Sequence, residues 1–393
     1  MTVSREPAAT GWDGGGGTIV IFPRSIRRRW METLAMGHGH PANRPRHLRC
    51  SFMNKTDDLA QVASLDETDK RLIQALQINP RARWASLAPI IGVDSVTLAR
   101  RWERLSDDGL AWVAGHPGSG ARGPSAILEI EAEPGATLEI AQTLAADPEA
   151  FTIDHTAGGR DLLAIVGAKD LDSLSEYIMG RMRRLSGVRA TRTLLLSSPF
   201  TDAGQWRLRS LSTDETSAVE RTIDAPVSTR GQVDPQLEHA LLHTLGQDGR
   251  ATVTSISREL GVGQRRVREA ITTLTAQGRL VVRTEVARAH SGWPVHAWYF
   301  LRVPATVAER VGSAMTRLSE VRMAASTIGP YNLVLSVWMR ALADVQRLEV
   351  AIEEGVPGVS IADRSVVLQS LKKEGRYLGA GGLATDTMVP MLT

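Results

Sequence analysis

The sequence predicts an α+β fold in which two winged helix-turn-helix domains alternate with two ferredoxin-like (βαββαβ) modules. Apolar residues recur at helical spacing on both sides of a tight turn at Gly92, which is typical of a helix-turn-helix. Residues 126–197 then read as strands and helices in the order β-α-β-β-α-β, the pattern of a ferredoxin-like module. Both patterns return in the second half of the chain, and a long internal repeat of this kind decides the fold class.

The first helix-turn-helix domain is predicted over residues 65–115. Its second helix carries Leu98, Trp102 and Leu105 on one apolar stripe. Asp94 is a suitable N-cap for this helix, and Gly109 is a suitable stop. In helix-turn-helix proteins the helix after the turn enters the DNA major groove, so this is the first predicted reading helix.

The second half repeats the first at a nearly constant offset. Adding 169 turns Arg81 into Arg250 and Gly92 into Gly261 without a gap, and an offset of 171 relates the later modules. We expect the two ferredoxin-like modules of one chain to pack sheet to sheet. The domains predicted after the first are a ferredoxin-like effector module at 124–200, a linker at 201–232, a second helix-turn-helix domain at 233–284, a second effector module at 295–372 and a tail at 373–393.

Residues 1–64 are predicted to be a disordered, basic N-terminal extension. The run Gly14–Gly17 and the cluster Arg27–Arg29 fit neither the helical nor the strand period. Three interpretations stay open: a basic arm that supplements DNA binding, an extension without function, or an upstream start that precedes a true initiator at Met53.

The composition indicates a globular protein of a reducing compartment. Hydrophobic residues make up 42% and charged residues 23%, and no apolar run approaches the roughly 18 residues of a membrane span. The single cysteine, Cys50, excludes a disulfide framework within the chain. A net charge of +3 permits nucleic-acid binding only through a local basic surface. We expect a cytoplasmic protein that does not bind membranes.

Two stretches carry a family resemblance. LDETDKRLIQALQINPRARWASLAPIIGVDSVTLARRWERLSDDGL resembles the DNA-binding domain of Lrp/AsnC (feast/famine) transcriptional regulators. TAGGRDLLAIV, followed by a helix and LSGVRATRTLLL, is similar to their effector-binding domain. The resemblance implies binding to double-stranded DNA, a small effector such as an amino acid or a related metabolite, a homo-oligomer and no cofactor. Ordinary members carry one such unit and dimerise, so two units in one chain are expected to imitate that dimer.

The exposed faces of the two reading helices supply the candidate DNA-binding residues. Arginine matches the two acceptors of guanine, and Ser, Thr and Gln suit phosphates or bases. The equivalents of Arg265 and Arg268 are Val96 and Ala99, so we expect the helices to read different bases of an asymmetric, quasi-palindromic operator. The second helix also has fewer acidic residues, although a simple solvated face is the alternative. The candidates are Ser95, Thr97, Arg100, Arg101, Arg104, Gln264, Arg265, Arg266 and Arg268.

The resemblance places the effector near a glycine-containing loop. This loop reads GGRD at 158–161 and GPYN at 329–332, so the second copy lacks the acidic residue. Asp161 would accept a ligand ammonium, or it is a turn residue that holds its own backbone. The candidate effector-binding residues are Gly158, Arg160, Asp161, Gly329, Tyr331 and Asn332.

Two other functions are alternatives to a transcriptional regulator. Siroheme decarboxylases resemble this family in fold, pair two such units and act on a tetrapyrrole through His and Arg. Here His155, His290 and His296 do not form a repeated pair, and no catalytic motif or metal-ligand spacing is present, so we expect no enzyme, no catalytic residues and no metal. The third possibility is a ligand sensor or scaffold that no longer binds DNA.

Overall fold

The computed structural model describes residues 65–201, 203–224, 231–356 and 358–391. The predicted N-terminal extension lies outside these residues. Within them, none of the helices is long and apolar enough to cross a membrane.

Three helices and a strand form the first unit. Helix α1 (Glu67–Ile78) begins at an Asp66 capping box, α2 (Trp84–Ile91) ends at Gly92, and α3 (Ser95–Asp107) begins at Asp94. Gly92 has a φ of 78°, a left-handed conformation that favours glycine and lets the chain turn sharply between α2 and α3. Strand β1 (Ala111–Pro117) follows. Leu98, Trp102 and Leu105 point into the core, as the apolar stripe predicts.

A four-stranded antiparallel sheet with two helices comes next. Its strand order is β3-β4-β2-β5, the order of a ferredoxin-like module. The elements are β2 (Ser125–Ala132), α4 (Thr137–Ala145), β3 (Ala150–Ala157), β4 (Leu162–Gly167), α5 (Leu171–Arg184) and β5 (Val188–Thr201).

The second half has the same element order. It contains three helices and a strand, followed by four strands and two helices with the strand order β8-β9-β7-β10. The elements are α7 (Pro235–Gln247), α8 (Val253–Leu260), α9 (Gln264–Ala276), β6 (Leu280–Val286), β7 (Val295–Arg302), α10 (Ala308–Met315), β8 (Val321–Ile328), β9 (Leu333–Met339), α11 (Asp344–Gly355) and β10 (Ser360–Lys373).

The two four-stranded sheets join by their edges into one closed β-barrel, which we call the ring. Strand β5 pairs with β8, and β10 pairs with both β3 and β7. The two joints are reciprocal, because Leu195 pairs with Ile328 and, 171 residues along, Val366 pairs with Ala157. The prediction that the two sheets pack face to face therefore misses the hydrogen-bonded pairing of their edges. Closure satisfies the open strand edges, and the inner faces share an apolar cluster that includes Ile127, Trp298 and Phe300.

Two segments predicted to be irregular are ordered. Helix α6 (Thr213–Glu220) lies within the predicted linker and joins α1 through an ion pair between Arg71 and Glu215. The tail prediction is wrong for residues 376–388, which form β11 (Arg376–Leu378) and β12 (Ala384–Met388). Short strands flanked by Gly379, Gly381 and Gly382 give little periodicity to recognise.

The C-terminal hairpin connects both three-helix units to the ring. The amide of Ala384 donates to the carbonyl of Gly109 at 2.9 Å, next to the end of α3. The guanidinium of Arg376 donates to the carbonyls of Gly246 and Gln247, at the end of α7, at 3.1 and 2.7 Å. A segment that bonds to both units restrains them relative to the ring.

Candidate nucleic-acid interface and interior cavity

The two three-helix units meet through a reciprocal contact. Strands β1 and β6 pair antiparallel, with Ala114 opposite Arg283, the residue 169 positions along. Arg81 donates to the carbonyls of Gly249 and Ala251, the second at 2.8 Å. Its equivalent, Arg250, donates to the carbonyls of Pro80 and Ala82 at 2.5 and 2.9 Å. Each unit thus gives the other the same contact that it receives, which is the signature of an interface with two-fold symmetry. We call these two side chains the arginine clasp.

Only some of the candidate side chains of α3 are free to contact DNA. Arg100 is exposed, and Ser95 and Thr97 are half-buried in the first turn. Arg101 forms ion pairs with Asp66 and Asp69 at 2.7 and 2.9 Å, and Arg104 pairs with Asp69 at 2.6 Å. The Asp69 side chain is buried, so two of the three arginines neutralise a carboxylate inside their own unit.

The candidate residues of α9 project further into solvent. Gln264, Arg265, Arg266 and Arg268 are all exposed. Arg265 pairs with Glu269 at 2.7 Å and Arg266 with Asp234 at 3.4 Å, but these carboxylates are exposed and such pairs are weak in water. Arg268 makes no ion pair within the described part of the chain. The cationic surface of α9 therefore exceeds that of α3.

The predicted effector loops have structural roles. The Asp161 carboxylate accepts the amide of Ala132 at 2.7 Å, and the Asn332 side-chain oxygen accepts the amide of Val303 at 2.9 Å. These are equivalent positions at an offset of 171. One acceptor oxygen suffices for this bond, which explains why an amide can stand where the first copy has an acid.

The other loop residues are also engaged. Arg160 is buried, pairs with Glu129 at 3.4 Å and with Asp363, and lies 4.3 Å above the ring of Phe300. The ring centroid of Tyr331 lies 5.2 Å from that of Phe300. Gly158 has a φ of 124°, and a side chain on Gly329 would collide with Leu194. None of the six candidates lines the main cavity of the described chain.

A cavity of about 640 Å³ lies between the wing strands β1 and β6, the inside of the ring and the C-terminal hairpin. Its volume is in the range of small-molecule sites, roughly 300–1,000 Å³. Charged and aromatic side chains from both halves line it. They include Trp112, Arg122, Phe151, Asp154, Arg283, Arg288, His296, Trp298, Arg322, Trp338, Lys373 and Glu374.

Two carboxylates, those of Glu285 and Glu374, each bind two of the cationic side chains of the cavity. Glu285 accepts from Arg322 at 3.0 Å and from Lys373 at 2.5 Å. Glu374 accepts from Arg122 at 2.8 Å and lies 3.7 Å from Arg283. Burial acts to raise the pKa of Glu374, but the arginines outweigh it and lower this pKa to about 2. Burial lowers the pKa of Lys373 to about 8.

A third carboxylate, that of Asp154, is buried on strand β3. Asp154 accepts the indole N–H of Trp298 at 2.9 Å and the hydroxyl of Ser370 at 2.6 Å. Burial raises the pKa of this carboxyl despite both bonds. His296 lies nearby and bonds to the Ser336 hydroxyl at 2.8 Å, and its pKa is well below the usual value because of burial. A neutral imidazole and a desolvated carboxyl thus face the cavity together.

His116 on β1 gives a pH-dependent prediction. It is buried beside the Glu374 group, and neither ring nitrogen has a hydrogen-bond partner within the described residues. Burial lowers its pKa to about 4. Above pH 6.5 the ring is neutral in both the folded and unfolded states. Between pH 6.5 and 4 the unfolded state binds the proton first, so stability falls by up to about 3 kcal/mol.

His116→Leu is expected to remove this loss of stability in acid. It should also raise stability slightly at pH 7, because an unsatisfied polar ring is replaced by an apolar group. Melting temperatures at pH 7 and pH 5 measure both effects, with His239→Gln on the exposed face of α7 as the control. An equal acid loss in the His116→Leu variant and the parent protein would contradict the prediction.

Sequence reasoning missed the cavity for a physical reason. Its lining comes from eleven different strands, β1 to β11, and its charged groups come from segments that lie far apart in the sequence, although Lys373 and Glu374 are neighbours. The signal available was the stretch VHAWYFLR at 295–302, where polar His296 interrupts an otherwise apolar buried strand.

Comparisons with known proteins agree with the first half of this architecture. Residues 65–106 match an AsnC-type helix-turn-helix domain, and residues 125–205 match the Lrp/AsnC ligand binding domain. A helix-turn-helix transcriptional regulator of Pyrococcus furiosus is 27% identical over 137 residues, covering 34% of this chain and 93% of that protein. The regulator AldR of Mycolicibacterium smegmatis is 25% identical, covering 34% of this chain and 81% of its own length. The chain therefore contains the DNA-binding and ligand-binding domains of Lrp/AsnC-type transcriptional regulators.

A solved structure extends the likeness over both halves. The siroheme decarboxylase NirDL aligns with 78% of this chain and 93% of its own, with a TM-score of 0.51 and 16% identity. At that identity the likeness concerns the fold alone.

Proposed function

We propose that this chain is a sequence-specific DNA-binding regulator that presents two unequal reading helices, α3 and α9, to one asymmetric, quasi-palindromic operator. The arginine clasp is the observation that carries this proposal. A two-fold contact between the three-helix units points their reading helices in opposite senses along the DNA, as a dimer does on an inverted repeat. The second half is then a second copy of the Lrp/AsnC unit, and one chain takes the place of a dimer.

The inequality of the two helices supports an asymmetric operator. The side chains at equivalent positions differ, with Arg265 and Arg268 on α9 where α3 has Val96 and Ala99. Arginine can read guanine through two hydrogen bonds, whereas valine and alanine offer only apolar contacts. We assign most of the electrostatic attraction to α9, because Arg101 and Arg104 of α3 are bound to Asp69.

Regulation by a small effector, such as an amino acid, is part of the proposal, as is further assembly of chains into a homo-oligomer. Support comes from the ligand binding domain matched at residues 125–205. The loop residues 158–161 and 329–332 stay a prediction as effector contacts.

Selection of genomic fragments by the purified full chain tests the operator. We expect an enriched motif with two inverted half-sites that differ in sequence. Enrichment of two identical half-sites would contradict unequal reading. Absence of any enriched motif, together with binding that does not weaken steeply as salt rises, would instead favour the sensor or scaffold function.

A second candidate is an enzyme acting on a tetrapyrrole. The observation that favours it is the cationic, aromatic cavity within a fold shared with NirDL, whose structure is also known with an iron-uroporphyrin III analogue. Among the described histidines, His296 alone lines this cavity. A shift in the absorbance spectrum of iron uroporphyrin III on mixing with the protein would support this candidate, and an unchanged spectrum would oppose it.

A further inference from the structure

We propose that the interior cavity is a binding site for an anionic ligand with a flat aromatic ring. The site is separate from the predicted effector loops. Strand β3 runs from the cavity at Thr152 and Asp154 to the loop that begins at Gly158. The apolar cluster of the ring interior also contains Phe300 and Val334, and neither of these residues lines the cavity.

The charge of the cavity favours an anion. Five cationic side chains line it, namely Arg122, Arg283, Arg288, Arg322 and Lys373. Within the described residues, the carboxylates of Asp154, Glu285 and Glu374 lie among them. Arg288 bonds to a backbone carbonyl and makes no ion pair within the described residues, so a cation at the cavity wall lacks a paired carboxylate. A partly buried charge is costly unless a counterion accompanies it, so the site favours a carboxylate, sulfonate or phosphate.

The aromatic side chains of the cavity indicate that the ligand carries a flat aromatic ring. Trp298 is held by its bond to Asp154, and Trp338 is covered by the Arg322 guanidinium at 3.8 Å. Trp112 and Phe151 line other parts of the wall. Rings whose positions are fixed in this way form a wall against which a planar apolar group can pack, with a cation close by for its acidic substituent.

The two halves of the chain contribute to this site unequally. At an offset of 171, the counterparts of His296, Trp298 and Trp338 are Ser125, Ile127 and Gly167, and the counterpart of Asp154 is Ala325. Packing of two similar sheets requires no such difference. These differences between the two halves place polar and aromatic groups from both of them around one shared cavity, as a single binding site requires.

The position of the cavity also links it to the reading helices. Trp112 lies on β1, and Arg283 and Val286 lie on β6, so both wing strands form part of the wall. A ligand there contacts the joint between the two three-helix units. Its effect on DNA affinity rests on the proposed function, whereas ligand binding itself does not.

A pair of matched fluorescent probes tests the site in the full chain without DNA. 8-Anilinonaphthalene-1-sulfonate and N-phenyl-1-naphthylamine share the aromatic body, but only the first carries an anion. We expect one sulfonate probe to bind per chain, at least about tenfold more tightly than the neutral probe, as one charge-assisted contact allows. Equal affinities, or several equivalent sites per chain, would overturn the proposal.

Two variants locate the binding. Arg288 is half-buried and its guanidinium bonds to the carbonyl of Pro294, so Arg288→Met removes a cavity cation without breaking an ion pair of the described residues. We expect about tenfold weaker binding of the sulfonate probe and unchanged binding of the neutral one. Arg189→Met, in an exposed pair with Glu131 on the ring, is the control and should change neither.

Ala325→Phe fills part of the cavity from β8 and should weaken both probes, with circular dichroism and the melting temperature confirming the fold. Unchanged binding in a folded Ala325→Phe protein would place the probe elsewhere and overturn the site. If the probes bind as expected and no DNA is bound, the proposed regulator fails while the cavity site stands.

Discussion

Replacing Arg250 with alanine is expected to lower the free energy of unfolding by about 2–4 kcal/mol. The Arg250 guanidinium bonds to two carbonyl oxygens of the other unit, those of Pro80 and Ala82, and lies 4.0 Å above the ring of Trp84. Burial lowers its pKa to about 10. Truncation leaves both carbonyls without this partner and removes the cation–π contact.

Arg81→Ala is expected to cost less than Arg250→Ala. The two arginines make the same two backbone bonds, but the equivalent of Trp84 in the second unit is Val253, which has no ring. Chemical denaturation of both variants measures the difference, with Arg258→Ala on the exposed face of α8 as the control. If Arg250→Ala unfolded at the same denaturant concentration as the control, the arginine clasp would not hold the two units together.

Replacing Arg265 and Arg268 together with alanine is expected to weaken operator binding by about ten- to a thousandfold. Loss of one arginine–guanine contact costs about 1–3 kcal/mol, and loss of a phosphate contact also reduces the salt dependence by about one unit of slope. Both side chains are exposed on α9, so their removal should leave stability unchanged. Fluorescence anisotropy at several salt concentrations measures both effects.

Arg100→Ala provides the matched comparison on α3. Arg100 is exposed, whereas Arg101 and Arg104 also neutralise Asp69, so only Arg100 can be removed without exposing a buried charge. We expect it to weaken binding less than the double change on α9. A larger loss from Arg100→Ala would reverse the assignment of the stronger reading helix.

The helix boundaries of the first unit could be predicted because their signals are local. Gly92 and Asp94 act through their own backbone and nearest neighbours, and both end or begin helices where expected. The repeat offset pairs Arg81 with Arg250, and these two arginines make corresponding backbone bonds. That they bond to each other's units could not be read from the sequence, because the contact joins segments about 170 residues apart.

The candidate sites were harder to predict because side-chain availability depends on tertiary partners. Arg101 and Arg104 lie on a reading helix, yet their acidic partner Asp69 belongs to α1. Asp161 stays a predicted effector contact, and its carboxylate also accepts the backbone amide of Ala132 at the end of β2. Sequence period predicts which face a residue occupies. It does not predict which groups from other helices and strands form ion pairs or hydrogen bonds with that residue.

A hydroxyl-radical footprint of the full chain on one selected operator tests most directly whether a single chain supplies both reading helices. Native mass spectrometry of the same sample gives the number of chains bound. We predict that one chain protects two inverted half-sites, and that the Arg265→Ala, Arg268→Ala protein loses protection on one side only. Protection of a single half-site per chain, or equal loss on both sides in the variant, would contradict the proposed arrangement.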